Sequence, residues 1–384
     1  MRPRKRKSPL RHLVWIVPLL ALDFLLFRWL ALRQGGCHLP GPTPVAQEAP
    51  QPPPPPPPVW QRMVAPTPQR QLLTPDLPGV LQPTGSGRPE SAKFGSTRTG
   101  ANGRPAFHEG VDIAATARDR KGVPTDPVYA VAEGRVAFVN AIGGKSSYGK
   151  YVVVEHPDPS LGAIQKRDGT SEPATVYTLY AHLADVRFGI RPGHLVRPGD
   201  EIGTLGHTSN TAPPIPVVRS HLHWEVGILL NSRYEIKHRE EKRTPDFGNY
   251  HGNNLYAIDP LGLFASHSRD PELTMAAHFA ALPPACEVVL RGRYPDYFCR
   301  FPALWKGTPH DGGPLRLTLS ESGIPLSGRN ATAAETALLG NQRQAVVKVF
   351  PEALGRNGRG YIAPAGNKWQ FTDKGKQWAE ILFY

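Results

Sequence analysis

The sequence predicts a mainly β domain at residues 90–264, with a membrane segment and a linker before it and a small α+β region after it. Three observations support this prediction: short β-branched runs separated by glycine and proline, an apolar run near the N-terminus, and prolines concentrated before residue 90. The chain has 384 residues, of which 40% are hydrophobic, so it is long enough for several distinct segments.

The N-terminal segment predicts a single transmembrane helix. Residues 1–12 contain six basic side chains, and the largely apolar run from Leu13 to Leu32 is long enough to cross a bilayer core. Positive charge before the run predicts a cytoplasmic N-terminus and a periplasmic remainder, as in a single-pass inner-membrane protein. A lipoprotein modified at Cys37 and a cleaved signal peptide are the alternatives, although no Ala-x-Ala site follows Leu32.

Residues 38–89 are predicted to be a proline-rich linker. They contain 17 of the 43 prolines, including seven in a row from Pro52 to Pro58. Such sequence favours extended polyproline II and cannot build a core.

The net charge of +13 does not indicate nucleic-acid binding. Residues 1–33 carry eight basic side chains and one acidic one, so they account for +7 of this charge. The remaining charge is mild and forms no basic stripe interleaved with aromatic residues, so we expect no nucleic-acid partner.

The central domain is predicted to be built from short strands. Each predicted strand is a β-branched run bounded by turn-forming residues. The runs are Val128–Val131, Arg135–Asn140, Tyr151–Glu155, Thr175–His182 and His221–Leu229.

Three segments of this domain carry the side chains of a hydrolytic zinc site. Zinc favours imidazole nitrogen and carboxylate oxygen, and a catalytic site keeps one position for water. In extended chain, His221 and His223 share a face, as do His108 and Asp112. Either pair alone is a weak signal, but both together, with His182 between them, predict a metal centre.

Other candidate residues are interpreted as structural. Glu109 follows a candidate ligand as in His-Glu-x-x-His proteases, but position 112 is Asp, so that motif is absent. We interpret Glu109 as an exposed neighbour on the opposite strand face. Other histidines are interpreted as surface or core positions, and His207 is the nearest of them to the site segments. They include His156, His194, His207, His238, His251 and His278.

From about Phe94 to Pro260 the sequence resembles the lysostaphin/LytM-type zinc metallopeptidases, which cut peptide bonds in peptidoglycan. The resemblance implies a largely antiparallel sheet with the metal in an open groove. It is carried by Phe94-Gly95 with Arg98, His108-x-Gly110-x-Asp112, Glu133–Val136, Tyr148–Val154, Thr178–Leu183, Val196–Gly203 and His221-Leu222-His223.

The resemblance also implies the role of each site residue. His108, Asp112 and His223 would hold one zinc ion per chain, and His182 and His221 would stand beside the metal-bound water. One of these two histidines would act as general base and acid while the other stabilises the oxyanion, and the sequence leaves open which does which.

Three insertions depart from the family pattern, at about Pro157–Pro173, Ala212–Arg219 and Asn231–Asn254. Loop insertions of this kind often change specificity, so they leave the substrate peptide open.

Beyond about Phe264 the resemblance ends, and residues 265–384 are predicted to be a small α+β region. A helix is expected to start at Asp270 and cover Leu273–Leu282, with strands at Cys286–Leu290 and Ala345–Phe350. This region is expected to bind wall polymer, cover the groove or pack against the central domain. Whether Cys286 and Cys299 form a disulfide is left open.

The sequence therefore predicts a membrane-anchored zinc endopeptidase that acts on peptidoglycan stems or cross-links, with a regulatory protein partner left open. The alternative is a non-catalytic envelope scaffold or an activator of cell-wall amidases. Because all five site positions are filled, catalysis is favoured. A third hypothesis, a secreted lysin, is disfavoured because the predicted anchor would hold the protein at the membrane.

Overall fold

The computed structural model describes residues 59–99, 105–166, 168–354 and 358–384. The expected transmembrane segment, Cys37 and the first part of the linker lie outside these residues. No helix in the described ranges combines the length and apolar character needed to cross a bilayer. All described residues belong to one compact unit, Pro52–Tyr384.

Antiparallel β-sheet dominates the described chain, as the sequence predicts. The strands are β1 (Thr97–Thr99), β2 (Pro105–Phe107), β3 (Val111–Ala114), β4 (Pro127–Tyr129), β5 (Gly134–Asn140), β6 (Lys150–Gln165), β7 (Ser171–Leu183), β8 (Asp185–Val186), β9 (Leu195–Val196), β10 (Glu201–Thr204), β11 (His221–Leu229), β12 (Leu255–Ile258), β13 (Cys286–Leu290), β14 (Leu315–Leu319), β15 (Pro325–Asn330), β16 (Gln344–Val349), β17 (Ile362–Ala365) and β18 (Lys368–Phe371).

The helices are short and lie mostly in the C-terminal part. The α-helices are α1 (Tyr234–Glu240), α2 (Pro260–Arg269), α3 (Met275–Ala281), α4 (Asp296–Arg300), α5 (Ala333–Ala337), α6 (Pro351–Leu354) and α7 (Asp373–Leu382). The 3-10 turns are Val59–Arg62, Pro89–Ala92, Gly143–Lys145, Val217–Arg219 and Pro302–Leu304.

The largest sheet has seven strands, and β11 lies between β7 on one side and β3 and β12 on the other. Its order is β12-β11-β7-β6-β5-β9, and β3 pairs with β11 on the same edge as β12. All nine residues of β11 are buried. The predicted strand His221–Leu229 is therefore confirmed, and it is a strand with neighbours on both sides.

The insertion at Pro157–Pro173 lengthens a hairpin instead of forming a separate loop. Strands β6 and β7 continue to pair beyond a register shift, with Asp158 opposite Ala174 and Ala163 opposite Pro173. At the far end, a Cβ on Gly162 would lie 2.4 Å from Pro302 Cγ, which is too close for any side chain larger than glycine. The hairpin arm therefore packs directly on the C-terminal region.

Residues 59–89 are folded against the domain, so the extended-linker prediction is wrong for this part. Trp60, Leu72 and Val80 are buried, and the Trp60 indole donates to Asp158 Oδ2 at 3.0 Å. Burial of one large apolar side chain stabilises a fold by about 1.5–3 kcal/mol, enough to fix a proline-rich segment that has no regular structure of its own.

The C-terminal region contains a four-stranded antiparallel sheet in the order β15-β14-β13-β16. The predicted strand Cys286–Leu290 is confirmed. The predicted helix begins later than expected, because Thr274 caps α3 through its side chain while Asp270 ends α2. The apolar core is continuous between this region and the large sheet, with Trp224 and Val288 in one cluster.

Cys286 is a free, buried thiol, so it forms no disulfide with Cys299. Burial raises the pKa of the Cys286 thiol to about 12. This residue therefore behaves as a small apolar side chain in the core.

Candidate metal centre

Sheet register brings the carboxylate and one imidazole of the centre together. Asp112 on β3 lies directly opposite His223 on β11, and Ala181 on β7 lies opposite His223 on the other side. Because side chains alternate along a strand, His221 and His223 face the same side. Two distant segments therefore meet at one point through ordinary antiparallel pairing.

His108 reaches this point from a turn. It lies between β2 and β3, so the expectation that His108 and Asp112 share an extended strand face is wrong. The turn requires glycine at position 110, where a Cβ would lie 2.6 Å from Trp224 O and 2.9 Å from the His223 ring. Close approach of this backbone to β11 brings His108 beside Asp112.

Three donor atoms converge as a zinc ligand set would. His108 Nε2 is 3.1 Å from Asp112 Oδ1 and 3.0 Å from His223 Nδ1, and His223 Nδ1 is 3.0 Å from Asp112 Oδ1. Tetrahedral zinc with bonds of about 2.0–2.1 Å spaces its ligand atoms by roughly 3.3 Å. The donor set and its spacing therefore fit zinc, and this is the one such group among the described residues.

Hydrogen bonds fix the tautomer of both imidazoles. His108 Nδ1–H donates to Lys93 O at 2.9 Å, and His223 Nε2–H donates to Glu225 Oε1 at 2.9 Å. The other nitrogen directs its lone pair at the common point in His108, and also in His223 once that ring has lost its second proton. Partners of this kind orient metal-binding histidines and strengthen them as ligands.

Asp112 is ionised, and a hydrogen bond to its Oδ2 holds it in place. Arg98 donates to Asp112 Oδ2 at 2.6 Å. Burial by itself raises the pKa of this carboxyl, but the electrostatic interactions with His108 and Arg98 outweigh it and hold the pKa well below its usual range. The carboxylate is therefore available to a cation at any ordinary pH.

A buried carboxylate supports His223 from behind. Glu225 is fully buried, and it accepts hydrogen bonds from the Tyr148 hydroxyl at 2.8 Å and the Tyr177 hydroxyl at 2.9 Å. Burial lowers the pKa of His223, but hydrogen bonds to Asp112 and Glu225 raise it to about 9. A cation that binds here at neutral pH must therefore displace a proton from this ring.

His182 and His221 stand side by side next to the three ligand atoms. Their ring centroids are 4.8 Å apart, and His221 Nε2 is 3.5 Å from Asp112 Oδ2. His182 Nδ1–H donates to Thr208 O and His221 Nδ1–H donates to Arg219 O, both at 2.8 Å. Each ring therefore presents an unprotonated Nε2, and burial lowers the pKa of both.

A β-bulge aims His182 at the centre. Two residues of β7, Ala181 and His182, lie opposite the single residue Tyr151 of β6 here, since Leu183 pairs with Lys150 and Tyr180 with Val152. His182 itself has φ +60°, a conformation that non-glycine residues adopt at a cost of order 1–3 kcal/mol and mainly at functional sites.

The loop before β6 holds the backbone around His182. Tyr148 O accepts from His182 N at 2.9 Å. At the neighbouring Gly149, where φ is +63°, a Cβ would lie 2.0 Å from Thr208 O, the carbonyl that binds the His182 ring. Glycine is therefore required here for the loop to approach Thr208.

The remaining candidates lie outside the donor cluster. His207 is half-buried, and its Nδ1 lies 3.1 Å from Ile215 O in the inserted loop. His156 is a buried core residue between Glu133 O and the Thr178 hydroxyl. Glu109 is half-buried and paired with Arg359, so its interpretation as an exposed neighbour is wrong.

Glu225 is the functional residue that sequence reasoning missed. It stands two residues after His223 on the same strand, so the period-2 alternation that links His221 to His223 also reaches Glu225. His108, His182 and His221 are supported by backbone carbonyls, and residue type gives no signal for these.

The arrangement is suited to metal-assisted hydrolysis. Two imidazoles and one carboxylate would supply three ligands to a zinc ion, and a fourth position would be left for water. Two neutral histidines adjoin it as proton acceptors. This combination of an open metal position and nearby bases is the one that zinc hydrolases use.

Comparison with known proteins agrees with the site. Residues 106–234 match peptidase family M23. A zinc-containing peptidase from Vibrio cholerae is similar at 26% identity, over 35% of this chain and 32% of that one, with a TM-score of 0.24. The catalytic domain of lysostaphin from Staphylococcus simulans is similar at 22% identity, over 35% and 77%, with a TM-score of 0.23.

The catalytic domain of the M23 protein EnpA from Enterococcus faecalis is similar at 20% identity, over 35% of this chain and 75% of that one, with a TM-score of 0.22. The chain thus spans about a third of the Vibrio cholerae peptidase. No curated protein matches it in sequence. Residues 106–234 therefore match peptidase family M23, in line with the resemblance to lysostaphin/LytM-type peptidases.

Proposed function

We propose that this protein is a zinc endopeptidase that hydrolyses peptide bonds in the stems or cross-links of peptidoglycan. The observation that carries the proposal is the convergence of His108, Asp112 and His223 on one point, with the free Nε2 atoms of His182 and His221 beside it. The match to peptidase family M23 supports the reaction class.

In this mechanism, His108, Asp112 and His223 hold the zinc ion, which when bound acidifies its water and polarises the scissile carbonyl. One of His182 and His221 accepts a proton at Nε2 and returns it to the leaving amine, and the other, when it carries a proton at Nε2, stabilises the developing oxyanion. Each remains fixed through its Nδ1–H bond to a carbonyl. Because burial lowers their pKa values, both rings are neutral at pH 7, and the ring that accepts the proton returns it readily to the leaving amine.

The proposal places the enzyme on the outer side of the inner membrane. Basic residues in the first twelve positions and the apolar run from Leu13 to Leu32 support a single-pass anchor with the catalytic domain in the periplasm. Anchoring there would keep the enzyme close to its substrate polymer.

The decisive experiment is digestion of isolated wall sacculi by the full-length chain, purified in detergent and loaded with zinc. We expect release of soluble muropeptides, loss of release in His223→Ala and His221→Ala, and loss of bound zinc in His223→Ala alone. His207→Ala is the matched control, because that half-buried histidine lies nearby but outside the cluster. Intact sacculi with stoichiometric zinc would instead favour a non-catalytic envelope scaffold.

A further inference from the structure

A cleft of about 440 Å³ adjoins the metal centre. Tyr148 lines it, and the ring of this residue lies 5.7 Å from the His223 ring. The Tyr148 hydroxyl also donates to Glu225, the carboxylate that supports His223. A molecule in this cleft would therefore lie next to a proposed zinc ligand.

Segments outside the M23 match build much of this cleft. Arg359 and Lys374 come from the C-terminal region, and Phe247 and His251 come from the insertion Asn231–Asn254. The family match ends at residue 234. Part of the chemistry of the cleft is therefore supplied from outside the matched domain, whereas Lys145 and Tyr148 lie within it.

The cleft carries a positive charge. Lys145, Arg359 and Lys374 line it, and Glu109 is its one carboxylate among the described lining residues. Glu109 is already paired with Arg359 at 3.1 Å. His251 adds no charge at neutral pH, since burial lowers its pKa to about 4. Two cations therefore remain uncompensated.

The three cations differ in how far they can move. Arg359 is fixed, because it donates to Leu255 O at 2.8 Å and Gly252 O at 3.3 Å and lies over the Tyr256 ring at 4.5 Å. Lys145 and Lys374 are exposed, and Lys145 Nζ lies 5.4 Å above the Phe247 ring. Flexible lysines beside a fixed guanidinium can adapt to an anion that enters the cleft.

We propose that this cleft binds a carboxylate-bearing part of the peptide substrate, with Lys145 and Lys374 contacting the carboxylate and Arg359 supplying a fixed positive charge. The inference rests on the proposed peptidase function and names the substrate class of the same site. Aromatic walls at Tyr148 and Phe247 suit a peptide, and clefts lined by one sign of charge concentrate ligands of the opposite sign.

The test compares binding of a fluorescent peptidoglycan stem tetrapeptide with that of the same peptide after conversion of its carboxyl groups to carboxamides. The zinc-loaded full chain in detergent is titrated with each peptide, and cleavage is followed separately. We expect the native peptide to bind at least tenfold more tightly. The double variant Lys145→Glu, Lys374→Glu should lose this preference and leave the affinity for the amidated peptide within twofold.

Lys376→Glu is the matched control, since it reverses a lysine on the same helix α7 that pairs with Asp373 and does not line the cleft. It should bind both peptides as the unmodified chain does. Equal binding of the two peptides by the unmodified chain, or an equal loss in Lys376→Glu, overturns the carboxylate site. If the native peptide binds more tightly than the amidated one but is not cleaved, the carboxylate site is upheld and the peptidase function is rejected. If the peptide is cleaved but both forms bind equally, the peptidase function is upheld and the carboxylate site is rejected.

Discussion

Glu109, which follows the first proposed metal ligand, forms an ion pair with Arg359 of the C-terminal region, with 3.1 Å between Oε1 and Nη2. Arg359 is buried and also binds the carbonyls of Leu255 and Gly252. An ion pair therefore connects the turn that positions His108 to a part of the chain that lies outside the M23 match.

Substitution of Arg359 should destabilise the protein more than substitution of its partner Glu109. Arg359→Ala deletes the pair, two carbonyl contacts and the packing on Tyr256, and we expect a loss of about 3–5 kcal/mol in the free energy of unfolding. Glu109→Gln keeps a hydrogen-bond acceptor and should cost only about 1 kcal/mol. Urea denaturation measures both values, and equal costs would contradict this account of Arg359.

Zinc binding should release about one proton per chain at pH 7. The pKa of His223 is raised to about 9, so this ring is protonated at pH 7 before metal binds. His108, with a pKa lowered to about 4 by burial, and Asp112 are already deprotonated and release none. The number of protons released should therefore fall to about half a proton per chain near pH 9.

Calorimetric titration of chelator-treated protein with zinc, in buffers of different ionisation enthalpy, counts these protons. A release near zero at pH 7 would show that Glu225 and Asp112 do not hold a proton on His223.

Glu225→Gln should weaken zinc binding by about 10–100-fold, because an amide supports the His223 ring less strongly than a carboxylate. Glu155→Gln is the matched control, since Glu155 also accepts from a tyrosine hydroxyl, that of Tyr250, within the same sheet. Competition with a chelator of known affinity measures both variants. Similar zinc affinities in the two would remove Glu225 from the metal centre.

Gly149→Ala should separate catalysis from metal binding. The new methyl group would displace Thr208 O and with it the His182 ring, and a displacement of about 1 Å can cost roughly 100-fold in rate. Zinc content should remain at one per chain, because none of the three ligands contacts this loop position. Gly144→Ala, in the same loop with open space around its Cβ, should keep full activity.

Much of the fold could be predicted because its signals are local. The strand His221–Leu229 and the strand Cys286–Leu290 follow from β-branched runs between turn residues. The proline-rich composition of residues 59–89 wrongly predicts an extended linker. Trp60 and Leu72 are buried there by contacts with the folded hairpin and core, which composition does not reveal. The sequence predicts a helix start at Asp270, whereas α3 begins after Thr274. Both residues are good N-caps, and only the tertiary structure determines which of them caps the helix.

By itself, the sequence determined the chemistry that is present: histidines and a carboxylate at spacings typical of zinc hydrolases, in a mainly β domain. Only the tertiary structure decided what each side chain contacts. Glu225 behind His223, the bulge at His182 and the joining of Glu109 to Arg359 all depend on strand register and on contacts between residues far apart in the chain. Local patterns encode strands and ligand types, whereas such contacts arise only when the whole core is packed.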